Sequence, residues 1–138
     1  MKKILFVCLA NLCRSPMAKA IAENFYGEII KADSAGLAPA QGPLFPETTY
    51  VLREFYGLEL PIHKPRHVLE YRVADYDYII ALDSGIFVRL SEMSEIPKDK
   101  LYGWEVPDPC GEGIEVYERT AYRIEDELEK FVDTIVGE

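Results

Sequence analysis

The chain opens on an unbroken apolar run, Ile4-Leu5-Phe6-Val7, which predicts a strand from Lys3 to Val7 buried on both faces. Ser15-Pro16 then reads as a helix start, because proline is tolerated in a first turn, and Met17, Ala20, Ile21 and Phe25 supply an apolar face. A second strand is predicted from Ile29 to Ala32, closed by Asp33-Ser34-Ala35-Gly36. The segment from Leu37 to Leu44 holds Pro39, Gly42 and Pro43 and reads as a loop. A helix from Pro46 to Tyr56 follows, carrying Tyr50, Val51 and Phe55 and stopping at Gly57.

Tyr76 to Leu82 is the best candidate for a central strand, and Asp83-Ser84 after it can cap and open another helix. A short strand near Leu101-Tyr102 leads into Val106-Pro107-Asp108-Pro109, whose prolines forbid helix. The last helix is the clearest: Tyr117, Ala121, Ile124, Leu128, Phe131 and Ile135 recur at three- and four-residue steps. Strands alternating with helices imply an α/β fold with a parallel sheet covered on both faces. Neither a repeat nor a linker divides residues 1–138, which read as a single domain. In such folds ligands bind beyond the carboxyl ends of the strands, which puts the residues after Val7 and after Leu82 at the functional edge.

Charge narrows the ligand. A formal net charge of −9 over 138 residues argues against nucleic acid as a partner, so a site for a phosphorylated substrate must be a local positive feature. Three cysteines do not suggest a secreted disulfide framework, and Cys8, Cys13 and Cys110 lack the paired spacing of a metal site, with His63 and His67 far away in sequence. Neither metal nor cofactor is expected. The apolar start after Lys2 and Lys3 has some likeness to a secretory signal, but Leu12 and Arg14 stand where small residues would precede a cleavage point. No stretch approaches membrane-spanning length, and the expected location is the cytoplasm.

Cys8-Leu9-Ala10-Asn11-Leu12-Cys13-Arg14-Ser15-Pro16 joins the first strand to the first helix, with five residues between Cys8 and Arg14. A loop of that size can curl around a tetrahedral oxyanion, its amides pointing inward and the helix N-terminus adding to the field. Arg14 can then clamp two oxygens as a bidentate fork. The same field should lower the Cys8 thiol below its free value of about 8.5, and Ser15 is near enough to donate to the sulfur. The alternatives are a buried apolar cysteine at a strand end and an ordinary surface arginine. What weighs against them is the position, between a buried strand and a Ser-Pro helix start.

These residues resemble the signature loop of the low-molecular-weight protein-tyrosine phosphatases. The resemblance extends through Asp33-Ser34-Ala35-Gly36, His63-Lys64-Pro65-Arg66, Tyr76 to Asp83, and Asp108-Pro109. It implies a three-layer α/β/α fold of flavodoxin-like topology, around a mostly four-stranded parallel sheet. It also implies phosphoric monoester hydrolysis through a phosphocysteine on Cys8, with Arg14 as clamp and Asp108 as general acid and then base. The phosphate would lie on Leu9, Ala10, Asn11, Leu12, Cys13, Arg14 and Ser15, supported by Asn11, Ser15, Ser34 and His63. Substrates would be phosphotyrosine in a protein or a small aryl phosphate, for a monomer or weak dimer acting away from membranes and nucleic acid.

Cys13 is either core or a reversible disulfide partner shielding Cys8 from over-oxidation. An Asp before Pro also commonly initiates a turn, and Asp83 is read as structural. Two features depart from the family pattern: Ala10 replaces a glycine, and the pocket rim lacks tyrosines, leaving Leu9 and Phe45 as apolar walls. The nearest rival is a thioredoxin-linked arsenate reductase, but the relay cysteines it needs after the third strand are absent, and Cys110 is misplaced for them. A silent phosphate-binding module would need neither Cys8 nor Asp108.

Overall fold

The computed structural model describes residues 1–60 and 62–137. It contains β1 (Lys2–Cys8), α1 (Arg14–Tyr26), β2 (Ile30–Gly36), α2 (Pro46–Tyr56), β3 (Tyr78–Ala81), α3 (Ser84–Ser91), β4 (Leu101–Gly103) and α4 (Ile114–Val136), with short 3₁₀ turns between. The strands form one parallel sheet in the order β2-β1-β3-β4. Alternation along β1 explains its unbroken apolar run. Ile4, Phe6 and Cys8 join the core made with α1, α2 and α4, while Leu5 and Val7 join the core on the α3 face. Burying both faces of a strand requires apolar residues at every position. The result is the expected three-layer α/β/α arrangement.

The strand order reverses direction at β1, which has β2 on one side and β3 on the other. That is the switch point of an open parallel sheet, where the loops after adjacent strands diverge and leave a crevice. Cys8 ends β1 at this point.

Two expectations change in detail. β2 does not close at Asp33; it continues to Gly36, because its register with β1 runs from Lys2↔Ile30 to Cys8↔Gly36. Phe25 is 52% exposed instead of lying in the buried α1 face, which holds Met17, Ala18, Ala20, Ile21 and Ala22. The alanines let α1 approach closely, and Phe25, beyond the sheet, meets the Tyr56 ring edge-on at 6.1 Å. Tyr50 and Phe55 are exposed on α2, which buries Thr48, Val51 and Leu52. Gly57 ends α2 as expected, in the left-handed conformation at φ 65°, donating to Arg53 and Leu52 carbonyls. α4 buries Tyr117, Ala121, Ile124, Leu128 and Phe131, each side chain larger than alanine contributing about 1.5–3 kcal/mol. No helix among the described residues is long and apolar enough to cross a membrane.

Candidate active site

The loop after β1 turns its carbonyls outward, and each has a donor. Leu37, Ala38 and Ala40 amides donate to the carbonyls of Cys8, Leu9 and Ala10 at 3.1, 2.8 and 3.2 Å. His63 Nε2 donates to the Asn11 carbonyl at 2.6 Å, and the Phe45 amide and Thr48 hydroxyl both donate to Leu12 at 3.3 Å. By contrast, among the described residues none of the amides of residues 9–15 donates to a main-chain carbonyl. Amides left over in a mostly buried loop need an acceptor. The N-terminus of α1 adds to the same deficit: it has no side-chain cap and no acidic residue in its first turn. The whole segment is a concave run of donors suited to an anion.

Asn11 makes the turn possible. It has φ 61°, and it is the one non-glycine with positive φ among the described residues. Asparagine tolerates that region better than most side chains. Its amide is fully used, Nδ2 donating to Ser15 Oγ at 2.8 Å and Ser34 Oγ at 3.0 Å, with the Arg66 amide donating to Oδ1 at 3.0 Å. Asn11, Ser15, Ser34 and His63 thus form one network. Ala10, where a glycine was expected, keeps a negative φ, so its methyl group carries no left-handed strain.

Cys8 Sγ lies 2.9 Å from Ser15 Oγ, and the Ser15 hydroxyl also reaches the Ala35 carbonyl at 3.1 Å. A hydroxyl has a single proton. With Cys8 as a thiol, the sulfur donates to Ser15 and Ser15 donates to Ala35. With Cys8 ionised, the hydroxyl can turn to the sulfur instead.

Arg14 is 2% exposed. Its Nη1 donates to Asp83 Oδ2 at 2.7 Å and to the Val106 carbonyl at 2.9 Å, and Nη2 stands 3.7 Å from Asp108 Oδ2. Among the described residues, Nε has no hydrogen-bond partner. Burial alone would lower the Arg14 pKa, but the Asp83 hydrogen bond and the charges of Cys8, Asp108 and Asp83 outweigh it and hold it above the ordinary value. Burial pushes the Asp83 carboxyl up, and the Ile86 amide and Arg14 overcome this to leave it below the usual range. Asp83 therefore caps α3, accepting the Ile86 amide at 2.8 Å, and also fixes Arg14. The cap was legible in the sequence; the grip on Arg14, from 69 residues away, was not.

Asp108 sits across the loop, its side chain 44% exposed, with Oδ1 accepting the Cys110 amide at 3.0 Å. Cys13 Sγ is 4.0 Å from the same Oδ1. Burial, with Cys8 and Asp108 adding, pushes the Cys13 thiol up to about 12, so Cys13 stays protonated near neutrality. Cys110 is exposed on the Asp108 loop. Leu9 stands at the rim, 41% exposed, and Phe45 is partly buried against the core, its amide on the Leu12 carbonyl. Glu105 and Glu112, the other acids of the proline-bounded loop, are exposed and make no ion pair with Arg14 among the described residues.

Sequence reasoning missed Gly36. A Cβ there would lie 2.5 Å from the Leu9 carbonyl oxygen, 3.1 Å from the Asn11 nitrogen and 3.2 Å from the Ala10 carbonyl carbon. The anion loop folds back directly over this residue. The available signal was its register, since Gly36 pairs with Cys8 itself.

The pattern of the family described as low molecular weight phosphotyrosine protein phosphatase matches residues 3–138. The low molecular weight protein-tyrosine-phosphatase Wzb of Escherichia coli K12 is 31% identical over 121 residues, 83% of this chain and 82% of Wzb. The glutaredoxin arsenate reductase of Synechocystis is 27% identical over 135 residues, 98% of this chain and 99% of that protein. The structure of the YwlE arginine phosphatase from Geobacillus stearothermophilus superposes with a TM-score of 0.88 at 28% identity, covering 99% of this chain and 94% of YwlE. An anion loop opened by Cys8 and closed by Arg14, at the switch point of this sheet, agrees with that match over nearly the whole length, and the chain belongs to the low molecular weight phosphotyrosine protein phosphatase family.

Proposed function

We propose that the chain removes phosphate from phosphotyrosine in proteins by double displacement through Cys8. The observation that carries this reading is the unpaired Arg14 Nε on a guanidinium whose Nη1 is already held by Asp83 and Val106. A buried charged donor without an acceptor is expensive to maintain, about 1–3 kcal/mol or more. Nε and Nη2 form the edge of the fork left for two phosphoryl oxygens. The amides of residues 9–15 would take the others.

The Cys8 thiolate attacks phosphorus, forming an S–P bond as the P–O bond to the aryl group breaks, and protonated Asp108 delivers its proton to the departing oxygen. Asp108, now a carboxylate, takes a proton from water as that oxygen attacks phosphorus. The S–P bond breaks, phosphate leaves, and the electron pair returns to Cys8. Ser15 supports both sulfur states by turning its hydroxyl. Asn11, Ser34 and His63 hold the loop's shape without touching the reacting atoms.

Exposed Leu9 favours an aryl substituent at the rim. An arsenate reductase relays oxidation through further thiols, yet Leu82 and Asp83 follow β3, and the exposed Cys110 lies on the Asp108 loop. The site is built within one chain, so a monomer suffices, and a thiolate nucleophile suits a reducing compartment such as the cytoplasm. Rapid quenching during turnover of a phosphotyrosyl peptide should trap phosphate on Cys8, and Cys8→Ser should bind phosphate but not turn over. Turnover by that variant, or faster turnover of a phosphoarginyl peptide by the parent, would overturn the respective part of the reading.

A further inference from the structure

Behind Asn11, a polar cleft of about 470 Å³ opens between α1, the end of β2 and the segment carrying His63 to Arg66. Its volume is within the range of small-molecule sites, about 300–1,000 Å³. The wall carries Lys19, Lys64 and Arg66 against Glu23 and Asp33. Glu23 is engaged elsewhere, and Asp33 is shared between Tyr76 and Lys19. Glu23 Oε2 accepts the Ala32 amide at 3.3 Å, and Asp33 accepts the Tyr76 hydroxyl at 2.6 Å and stands 3.9 Å from Lys19. Lys64 and Arg66 have no carboxylate partner among the described residues, and Arg66 lies over the Tyr71 ring, 5.9 Å from its centroid. On a chain of net charge −9, these are cations concentrated against the general sign of the surface.

The cleft is connected to the anion loop by hydrogen bonds. Ser34 Oγ accepts from Asn11 Nδ2 at 3.0 Å, His63 Nε2 donates to the Asn11 carbonyl at 2.6 Å, and the Arg66 amide donates to Asn11 Oδ1 at 3.0 Å. These three partners of Asn11 line the cleft, and the fourth, Ser15, belongs to the loop itself. Asn11 in turn carries the left-handed turn on which the loop's shape depends.

We propose that this cleft is an effector site for a small multivalent oxyanion, whose binding holds the His63–Arg66 segment against Asn11 and tightens the phosphate loop. An effector shifts an equilibrium only through contacts that differ between its states. Here the differing contacts are the two hydrogen bonds to Asn11 made by His63 and the Arg66 amide, on a segment whose own cations are pinned by the anion. His63 connects the two sites a second time. Burial first, and Lys19 after it, disfavour its charged form against the opposing pull of the Asn11 carbonyl. An oxyanion in the cleft acts the other way, and an imidazolium donates a stronger, charge-assisted hydrogen bond to that carbonyl. The groups around the cleft that His63 lines are Lys19 and Glu23 from α1, Asp33 from β2, Lys64 and Arg66 from its own segment, and Tyr71.

The consequence for catalysis rests on the phosphatase reading, whereas the site itself does not, so the decisive readouts are binding constants on the full chain. The probe is citrate, titrated by calorimetry and by NMR of the His63 ring and the Asn11 amide. Citrate should bind one to one, raise the His63 titration midpoint, and lower the dissociation constant of inorganic phosphate about fivefold, with the reciprocal change for citrate when phosphate is present. Lys64→Ala should weaken citrate about tenfold, as for removal of one charge-assisted hydrogen bond, and leave phosphate affinity without citrate unchanged. Lys19→Ala/Lys64→Ala should weaken it further. Absence of citrate binding at millimolar concentration would overturn the proposal. So would competitive displacement of citrate by phosphate, citrate binding indifferent to Lys64 and Lys19, or binding that leaves phosphate affinity unmoved. A failed turnover assay beside Lys64-dependent citrate binding would count against the catalytic reading alone.

Discussion

Gly36→Ala adds one methyl group to a residue that takes no part in the chemistry, and it tests whether the anion loop is held to sub-ångström tolerance. The new Cβ would lie 2.5 Å from the Leu9 carbonyl oxygen, against about 3.4 Å for ordinary contact, so backbone must give by roughly 0.9 Å. The neighbour cannot swing aside as a side chain would. Leu9 O is tied to the Ala38 amide at 2.8 Å, and the next nearest atoms, Asn11 N at 3.1 Å and Ala10 C at 3.2 Å, belong to the same loop. Overpacking of this kind typically costs about 1–3 kcal/mol of stability. Its effect on catalysis should be larger in proportion, because a misplacement of about 1 Å at a reacting centre can cost about 10²-fold. Gly36→Ala should therefore lower kcat/KM for p-nitrophenyl phosphate about 100-fold and weaken inhibition by inorganic phosphate, while the protein still unfolds cooperatively at a Tm a few degrees lower. Gly113→Ala is the control: its backbone has φ −85°, and an added Cβ would meet nothing within 4 Å. If Gly36→Ala retained kcat/KM and phosphate inhibition within a few-fold of the parent, the loop would be more pliant than this geometry requires, and the steric argument would fail.

Arg14→Lys keeps the charge but removes the planar fork, so it cannot hold Asp83, the Val106 carbonyl and two phosphoryl oxygens together; turnover near the parent rate would show that Arg14 does not grip the phosphoryl group. Asp108→Asn should slow aryl phosphates with poor leaving groups by about 10²–10⁴-fold, and p-nitrophenyl phosphate less, in burst kinetics that isolate phosphoryl transfer; equal slowing across leaving groups would pass the acid's role to Glu105 or Glu112. Under mild peroxide, activity should be lost and then regained with dithiothreitol, and peptide mapping should find Cys8 joined to Cys13. Irreversible loss in the parent that is no worse in Cys13→Ala would leave Cys13 as packing alone.

What the sequence disclosed is what local physics controls. The strand–loop–helix unit from Lys3 to Phe25 is a contiguous pattern. Cys8, Arg14 and Ser15 were picked out for that reason. Asp108 and His63 became legible only through family resemblance, because nothing near them in sequence reveals that the chain folds them to within 3.7 Å of Arg14 and 2.6 Å of the Asn11 carbonyl. Contacts made through main chain left still less trace. The Val106 carbonyl on Arg14 and the Arg66 amide on Asn11 would be made by any residue except, at position 66, proline. One misread position has a related cause. Periodicity identifies α1 as amphipathic but does not say how much of its apolar face is covered, so Phe25 was assigned inward although it is 52% exposed.

The parts of the site come from three different strand ends, and the sheet brings them together. Cys8 closes β1, Asp83 follows β3, and Val106 and Asp108 follow β4, which pairs with β3 in parallel. Parallel strands put all three carboxyl ends on one edge, so loops that are distant in sequence converge there. Arg14 is the point at which they meet: Nη1 holds Asp83 and the Val106 carbonyl, and Nη2 faces Asp108. The proposed clamp on the phosphoryl group is thereby also the reference for placing the acid. A change that moves Arg14 shifts transition-state stabilisation and proton delivery together, so losses at Arg14, Asp83 and Asp108 should combine as members of one network and not add as independent sites do. The acidic surface does not oppose this arrangement. Positive potential is needed only within a few ångströms of phosphorus, where main-chain amides, the start of α1 and one buried guanidinium supply it, and an interaction that short is screened little by the solvent outside.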